Sequence, residues 1–579
     1  MGNHDPKTFF LKPEITAHRK YEALRAYYVD KLPKKELAER FGYTLSSFET
    51  MIKNFRHRKI IFFHIPMRGP KERRVPENIR EKIVSLRKMN LSIIDIKDEL
   101  TNQGYSIGQT TIDRVLKDEG FARLPKRAFV GRGLTDKGAT FPQKAVALDI
   151  GTIDRATMDC QVAGLFFFVP YIIKSGLQEV LEVARLPKTS QLSSLNSAFS
   201  ILAMKLIGQE RLSQINHYNF DEGFGFFAGL NVPPKSTCLS TYSYLIDKKA
   251  THRLMKGFVS KVRIIDEDLY DGSMINLDFH SIPHYGEESV MEDIYVSSRN
   301  RAMKGATTFF AQDADSKVLN YCSADIKRTE MSDEILNFVK YWTDVKGIID
   351  QTLVFDSKLT NYPVLSQLNR DGIKFITLRR RGKDIVKEAL LAPKDKWTTV
   401  TVDIPKRKFP KFKVLERKIE LKGYDGKVRQ VIIWDNGRQE PTFMITNDFD
   451  IGLKDLATNY ARRWRIENTL SDLVHFFNLN ALSSPIMIRI HFDVTMTVIA
   501  DTLYKLLAKD LRGFENCTAK QLFGRFINAP GKIFVDGDNI TVQFRKRAHT
   551  PILRMNEMLM RPCRVPWLGN KVLRYKWTP

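Results

Sequence analysis

Acid is scarce in this chain relative to base: 66 Asp and Glu stand against 92 Lys and Arg, a formal charge of +26 with a pI near 9.6. That imbalance selects polyanions as partners, either nucleic acid or an anionic membrane. Long apolar runs are missing as well. The longest, Leu165 to Ile173, is broken by Pro170, and it is about half the length of a bilayer span, which makes membrane the weaker option. The first ten residues, MGNHDPKTFF, have no basic region followed by an apolar one, so no signal peptide is expected there. Five scattered cysteines, Cys160, Cys238, Cys322, Cys517 and Cys563, show no pairwise metal spacing. They read as reduced thiols of a cytoplasmic protein rather than a disulfide framework or a zinc cage. No convincing Ser-His-Asp or Cys-His set is present, so no covalent intermediate with the protein is called for.

What is there begins with a basic N-terminal block. The first 130 residues hold 27 Lys and Arg against 16 Asp and Glu, a net of +11 that leaves +15 for the other 449, and the densest charge is expected here. Tyr21 to Asp30, Lys34 to Phe41 and Leu45 to His57 read as three helices with a turn at Gly42-Tyr43-Thr44, the outline of a helix-turn-helix. Leu24, Leu37, Ala38, Phe41, Phe48 and Ile52 would pack inside. Ser46, Ser47, Glu49, Thr50, Lys53, Asn54 and Arg56 would face out, able to reach base edges and phosphates. A second copy spans Glu77 to Met89, Ser92 to Gln103 and Ser106 to Glu119, presenting Thr110, Thr111, Arg114 and Lys117. Between them the Pro, Gly and Arg-rich stretch from Ile65 to Arg74 reads as a linker tracking a groove. The plainer alternative for each set is a three-helix bundle used for dimerisation.

Farther along, two aspartates close short apolar runs: Met274 to Leu277 leads to Asp278, and Gln351 to Phe355 leads to Asp356. Acids at the strand ends of an open sheet lie where such sheets build sites. Ala306 to Ile326 reads as two strands joined at Asp313-Ala314-Asp315-Ser316, Met331 to Val345 as a helix, Tyr362 to Arg370 as another, and Lys374 to Leu378 as a strand. This succession matches a ribonuclease-H-like core, in which the first and fourth strands lie side by side and bring two acids together. In NYARRWRIENTLSDLVHFF, offsets of three and seven put Tyr460, Arg463 and Glu467 on one helical face. A phenol, a guanidinium and a carboxylate together suit a site in which the acid holds a divalent cation and the arginine grips a phosphate with both nitrogens. An exposed Arg-Glu pair on an amphipathic helix is the bland alternative. With Asp278 and Asp356 added, the set reads as a metal-dependent nucleic-acid cutting site.

The order Asp278, Asp356, Glu467, the last inside Tyr-x-x-Arg-x-x-x-Glu, resembles the DDE transposases of bacterial insertion sequences, in particular insertion sequence family four. The segments GLFFFVPYIIKSGL and CLSTYSYLID resemble the text that precedes the catalytic domain there, and the likeness spans roughly residues 145 to 510. The family signature has a lysine seven residues after the glutamate, where this chain has Val474 followed by His475; that phosphate contact is missing here or supplied from elsewhere. The resemblance implies that Asp278, Asp356 and Glu467 are catalytic and hold two Mg²⁺ or Mn²⁺ ions about 4 Å apart. One ion would activate water against the phosphodiester at an element's end, the other would stabilise the leaving 3′ oxygen, and the freed 3′-OH would then attack target DNA. His280 and His284 follow Asp278 closely, and they read as structural or phosphate-proximal rather than as ligands.

Between the second acid and the glutamate, 395 to 447 reads as an all-β insertion with strands at 399–402, 412–416, 419–421, 430–434 and 442–445. Similar transposases carry one in this place and use it against the DNA end. Its Lys406, Arg407, Lys408, Lys411 and Lys413, with Trp397 and Trp434 nearby, would contact phosphates and stack a displaced base, or else form solvated hairpin faces. Residues 131 to 270 read as mostly helical, with Leu165 to Leu181 a buried helix pair and GFGFFAG (223–229) a loop on the core rather than a phosphate loop. Asp493 to Lys509 reads as a helix, Lys532 to Val542 as a hairpin, and Arg561 to Lys576 as a basic, aromatic tail for DNA or subunit contact.

The fold expected is therefore a multidomain α+β protein: helix-turn-helix domains at 1–64 and, with the linker, 65–130; a helical region at 131–270; a ribonuclease-H-like α/β core at 271–394 and 448–515 interrupted by the β insertion; and a C-terminal hairpin and tail at 516–579. The expected partners are double-stranded DNA, both terminal inverted repeats and target, and a second copy of the chain in a synaptic dimer, within the cytoplasm at a bacterial nucleoid. Two function classes stay open, an active transposase and a DNA-binding regulator descended from one.

Overall fold

The computed structural model of the protein describes residues 16–57, 60, 62, 75–89, 91–121, 144–284, 291–296, 300–402, 410–434, 440–481 and 487–579. The chain forms two compact units, Met1–Ile79 and Arg80–Pro579.

In the first unit, α1 (Thr16–Tyr28), α2 (Lys34–Arg40) and α3 (Leu45–Arg56) close around Ala23, Leu24, Ala26, Leu37, Ala38, Phe41, Phe48, Met51 and Ile52. The six core positions chosen from the apolar spacing are all among them. Helix α1 starts five residues before the expected Tyr21 because polar residues without breakers, Thr16 to Lys20, extend it. Thr44 caps α3, its hydroxyl accepting from the Ser47 N–H at 3.2 Å, which satisfies one of the orphan amides of the first turn.

A second set, α4 (Glu77–Lys88), α5 (Ile93–Asn102) and α6 (Gln109–Asp118), repeats the pattern. Ser92 and Asp95 form a reciprocal capping box at the start of α5. Helix α6 begins three residues later than expected, with Gly108 as its N-cap.

The region expected to be mostly helical contains a strand, β1 (Arg155–Cys160), before α7 (Val169–Lys174), α8 (Leu177–Val183), α9 (Ser194–Leu206), α10 (Glu222–Phe227), α11 (Ser236–Leu245) and α12 (Lys248–Ile265). The expected loop at 223–229 is largely α10, capped by Asp221 through the Phe224 N–H. Its glycines serve close packing: a Cβ on Gly225 would lie 2.6 Å from the Val232 backbone. Among the described residues no single helix is long and apolar enough to cross a membrane; the stretch Ala163–Lys174 with Leu177–Val183 would qualify only across a 63° bend, and most of it is buried.

The large sheet is assembled from β2 (Met274–Pro283), β3 (Asp293–Val296), β4 (Arg301–Asp313), β5 (Leu319–Ile326), then α13 (Glu334–Lys346), β6 (Thr352–Phe355), α14 (Tyr362–Arg370), β7 (Phe375–Leu378), α15 (Lys383–Leu390), β8 (Thr398–Thr401), β9 (Lys411–Glu420), β10 (Lys427–Trp434) and β11 (Thr442–Thr446). Its order is β3-β4-β2-β6-β7-β11-β10-β9-β8, with β5 also paired to β4. Strands β2, β6 and β7 run parallel at the centre and the rest pair antiparallel. Thus β2, the first strand of this sheet, lies beside β6, the fifth in chain order because the short β3 was not foreseen. Two expectations change. The runs 412–416 and 419–421 are one strand, β9, and the β-rich segment adds its strands to the edge of the core's own sheet through β7 and β11. A turn also expected at Asn436-Gly437, between the last two strands of the insertion, lies outside the described residues.

Helices α16 (Leu453–Arg462), α17 (Trp464–His475) and α18 (Met487–Lys509) follow. Helix α17 packs on β2, with its Ile466, Leu470 and Leu473 buried, and α18 packs on β5, α9 and α12. The chain closes with β12 (Gly531–Asp536), β13 (Asn539–Arg545), β14 (Cys563–Val565) and β15 (Lys571–Thr578) in a second sheet of order β1-β12-β13-β15-β14. The aromatics of the expected contact tail are mostly spent here. Tyr575 donates to the Phe166 carbonyl at 2.7 Å, Trp567 to the Phe227 carbonyl at 2.9 Å, and Trp577 stacks on Phe544. Nor is the densest charge N-terminal: residues 516–579 carry 12 Lys and Arg against 3 Asp and Glu, a net of +9 in 64 residues.

Candidate active site

Parallel pairing of β2 with β6 ends at Leu277 opposite Phe355. The next residue on each strand is an aspartate, so Asp278 and Asp356 emerge side by side where the ladder stops. Asp278 does not end its strand, as the sequence led one to expect. Antiparallel pairing with β4 carries β2 on to Pro283, and Asp278 sits in its middle, facing Phe310. Asp356 begins the loop after β6, and its Oδ1 accepts the Lys358 N–H at 2.9 Å.

The helical frame is also interrupted. Tyr460 lies on α16 and Glu467 on α17, and Arg463 is the joint between the two helices. Its backbone stays right-handed, so its side chain still reaches the acids. Nη1 donates to Asp278 Oδ2 at 3.4 Å and Nη2 to Glu467 Oε1 at 2.5 Å, while the guanidinium lies 6.0 Å from the Tyr460 ring centroid. All five sequence-derived residues therefore converge, and the arginine engages carboxylates of the protein itself.

The electrostatics follow from burial. Asp278 is 9% exposed, whereas the Glu467 side chain is 54% exposed. Burial pushes the Asp278 carboxyl up to about 7; Arg463 opposes that, and the charges of Asp356 and Glu467 add to it. Burial works against the Arg463 charge, but Tyr460, Asp278, Glu467 and Asp356 outweigh it and hold the guanidinium above its ordinary value. At Asp278, burial and two neighbouring acids thus oppose the cations Arg463 and Lys358.

Several supporting groups escaped the sequence reading. Gln312 on β4 donates to Thr469 Oγ1 at 2.7 Å, and Asn276 donates to Gln312 at 3.4 Å, fixing α17 two residues past Glu467. The only hint was a glutamine closing the apolar run Phe309-Phe310-Ala311. His280 is half-buried and hydrogen-bonded to Asn480 Oδ1 at 2.8 Å, with desolvation lowering its pKa, a structural role. Val474, at the position of the expected lysine, is buried, and a Cβ on Gly120 would lie 2.6 Å from its Cγ1. Trp464, half exposed, stands with Lys317, Arg462, Arg465 and Lys505 around a cleft of about 600 Å³ beside the helix joint.

Three carboxylates match a divalent cation in kind, being hard oxygen donors. They are drawn round Arg463, however, and among the described residues no three His, Cys, Asp or Glu side chains form a ready metal cage as placed.

Of the candidate DNA-contacting residues, Ser46, Ser47, Thr50, Lys53 and Arg56 are exposed on α3 and Asn54 is half-buried. Thr50 donates to the Ser46 carbonyl and Arg56 to the Tyr28 hydroxyl. On α6, Thr110, Arg114 and Lys117 are exposed and Thr111 is half-buried, with Lys117 paired to Asp113 at 2.6 Å. Trp397 and Trp434 stand 5.6 Å apart, tilted against each other and both half-buried. Lys411 and Lys413 are exposed on β9, whereas Lys406, Arg407 and Lys408 lie outside the described residues.

No protein-family model matches the chain, and no curated protein does. Among solved structures it is similar to a piggyBac transposase in a synaptic complex with hairpin DNA, at 9% identity and a TM-score of 0.34, over 66% of this chain and 83% of that one. A likeness of that size decides neither fold nor function.

Proposed function

We propose that the protein is a DDE transposase that binds the terminal inverted repeats of its element and catalyses metal-dependent end cleavage and strand transfer. The observation that carries this reading is the convergence of Asp278, Asp356 and Glu467 on Arg463 from two strands and a helix far apart in sequence. The strand order, with β2 between β4 and β6, supports a ribonuclease-H-like core.

Asp278, Asp356 and Glu467 would hold Mg²⁺ or Mn²⁺. When bound, the ions supply the Lewis acidity that makes water a nucleophile at neutral pH and neutralises the leaving oxygen. The chain's own residues do the rest. Asp278 is fixed within β2, Asp356 sits just past the end of β6, and Glu467 comes from the exposed face of α17. Gln312 and Thr469 keep that helix from sliding. Arg463, freed from one acid, is placed to take a phosphate oxygen. The three-helix sets with α3 and α6 would hold the repeat as helix-turn-helix domains, the β-rich segment would lie against the DNA end, and two chains would bring two ends together, as closed two-fold assemblies do.

Asp278→Asn, Asp356→Asn and Glu467→Gln tested on end-bearing DNA in Mg²⁺ should each abolish cleavage while leaving end binding nearly intact. Normal cleavage by any one removes that residue from the triad. The second reading, a DNA-binding regulator with unused acids, is favoured by the seating of Arg463 on two of them. Terminal inverted repeats flanking the gene would favour the enzyme.

A further inference from the structure

The five-stranded sheet of β1, β12, β13, β15 and β14 has one face on the core and one in solvent, and its register states what each carries. Ile540, Val542 and Phe544 on β13, with Leu573, Tyr575 and Trp577 on β15, face inward. The alternate positions face out: Thr541 beside Arg574, Gln543 beside Lys576, and Arg545 beside Thr578, with Arg564 on β14 opposite Val572. On the far strands the outer cations are neutralised, Arg155 by Asp536 at 3.5 Å and Lys532 by Asp159 at 3.6 Å. Arg545, Arg574 and Lys576 are exposed, and among the described residues none is paired with an acid. Lys546 and Arg547 continue the charge directly from β13.

We infer that this outer face, centred on Arg545, Arg574 and Lys576, is a docking surface for duplex DNA that grips the phosphate backbone. The partner follows from charge complementarity and from what surrounds the charge. Between the cations, Thr541 and the second amide hydrogen of Gln543, whose Nε2 donates to Thr578 Oγ1 at 3.2 Å, can donate to phosphate oxygens. Two of the three cations are arginines, whose fork matches a phosphate with two hydrogen bonds. The large apolar side chain on the outer face is Phe534, opposite Thr541, and it is half-buried, which leaves little to enter a lipid interface. A sheet face whose cation-bearing positions lie about 5–7 Å apart by strand geometry tracks a backbone and reads no base edge, so it would be indifferent to sequence. This surface stands on its own register and charge and does not rest on the cleavage reading.

The test is duplex binding by the full-length chain as salt is varied, comparing the native protein with a triple variant, Arg545→Gln, Arg574→Gln and Lys576→Gln. Each lost phosphate contact removes about 0.9 from the slope of log affinity against log salt, so the slope should fall by about 2 to 3 units, with roughly tenfold or greater loss of affinity at moderate salt and equal loss on unrelated DNA. Gln543→Lys, which adds a cation to the same row, should tighten binding and steepen the slope by about 0.9, and it keeps the test open if the triple variant melts early. Unchanged slopes in both overturn the proposal. So does a triple variant that loses binding to phosphatidylserine vesicles while keeping its DNA affinity, which would assign the face to membrane. Asp278→Asn protein should bind DNA as the native chain does, so loss of cleavage and loss of this surface are read separately.

Discussion

The two three-helix sets look like copies of one another in sequence, yet the structure uses them differently. The first closes on its own aromatic core, with Tyr27, Tyr43 and Phe62 packed around Phe48 and its neighbours, inside a unit of its own. The second is welded to the large body. Arg87 on α4 is buried 4.0 Å from Glu210, Gly120 just past α6 lies on Val474, and Glu81 pairs with Arg301. A motif repeated in sequence need not be repeated in function. In the second set, residues of α4 and the turn after α6 are consumed in contacts with the body that carries the acids.

The contrast can be broken at the buried ion group. Glu210 shares its carboxylate with Arg87 and Arg211, so Glu210→Ala strands the buried Arg87 guanidinium and the half-buried one of Arg211, and about 3–5 kcal/mol of stability should be lost. Denaturant unfolding would show the loss in the large unit, with the transition of the first helical set unmoved. A shift of both transitions together would mean the sets are not independent.

Two glycines sharpen it next. Gly120 has φ +80° and no room for a methyl group, whereas Gly42, at the turn of the first set, has φ +68° and nothing within 4 Å. Gly120→Ala should cost about 3 kcal/mol from left-handed strain and overpacking together, and Gly42→Ala about 1 kcal/mol from strain alone. Equal costs would show that Val474 yields easily.

Acidity gives a smaller handle. Burial pushes the Glu210 carboxyl up to about 7 against the pull of Arg211, Arg87 and Lys88. A carboxyl raised above its unfolded value stabilises the fold fully below that value, and the contribution is lost as pH rises through the folded one. Between pH 5 and 7 the second set should therefore loosen by about 1–2 kcal/mol, seen as faster hydrogen exchange across α4 to α6. The first set should not follow, and Glu210→Gln should flatten the profile.

The smallest effect is expected in DNA affinity. Lys53→Ala on α3 should lower the salt slope by about 0.9, whereas Lys117→Ala on α6 should lower it less, because Lys117 already pairs with Asp113. Equal slopes would restore the symmetry of the two sets.

Much of this was legible in the chain, and the failures have physical causes. Asp356 could be placed because β6 is flanked on both sides and stops at once. Asp278 was misplaced at a strand end because β2 has two neighbours that stop at different points, and a single sequence does not say which one governs. The pairing of Arg463 with Glu467 is local, four residues along a helical path, whereas its reach to Asp278 crosses 185 positions. The tail misled by composition: tryptophan and tyrosine among cations look like an interface, and only the parallel pairing of β15 with β13 turns them inward. Core helices and hairpins were readable from period alone, and partners distant in sequence were not.

Strand β1 is the edge of a sheet whose other members are β12 to β15. A ribosome adding roughly 5–20 residues per second would need on the order of tens of seconds to pass from Cys160 to Gly531. Throughout that interval β1 has no strand to pair with, and Phe167 lacks the Phe544 and Tyr575 rings that cover it in the finished fold. The first helical unit can fold early in synthesis, while the body waits for its last strands with an apolar surface bare. Demand for a holding chaperone should therefore peak late in translation and end abruptly when β12 to β15 emerge.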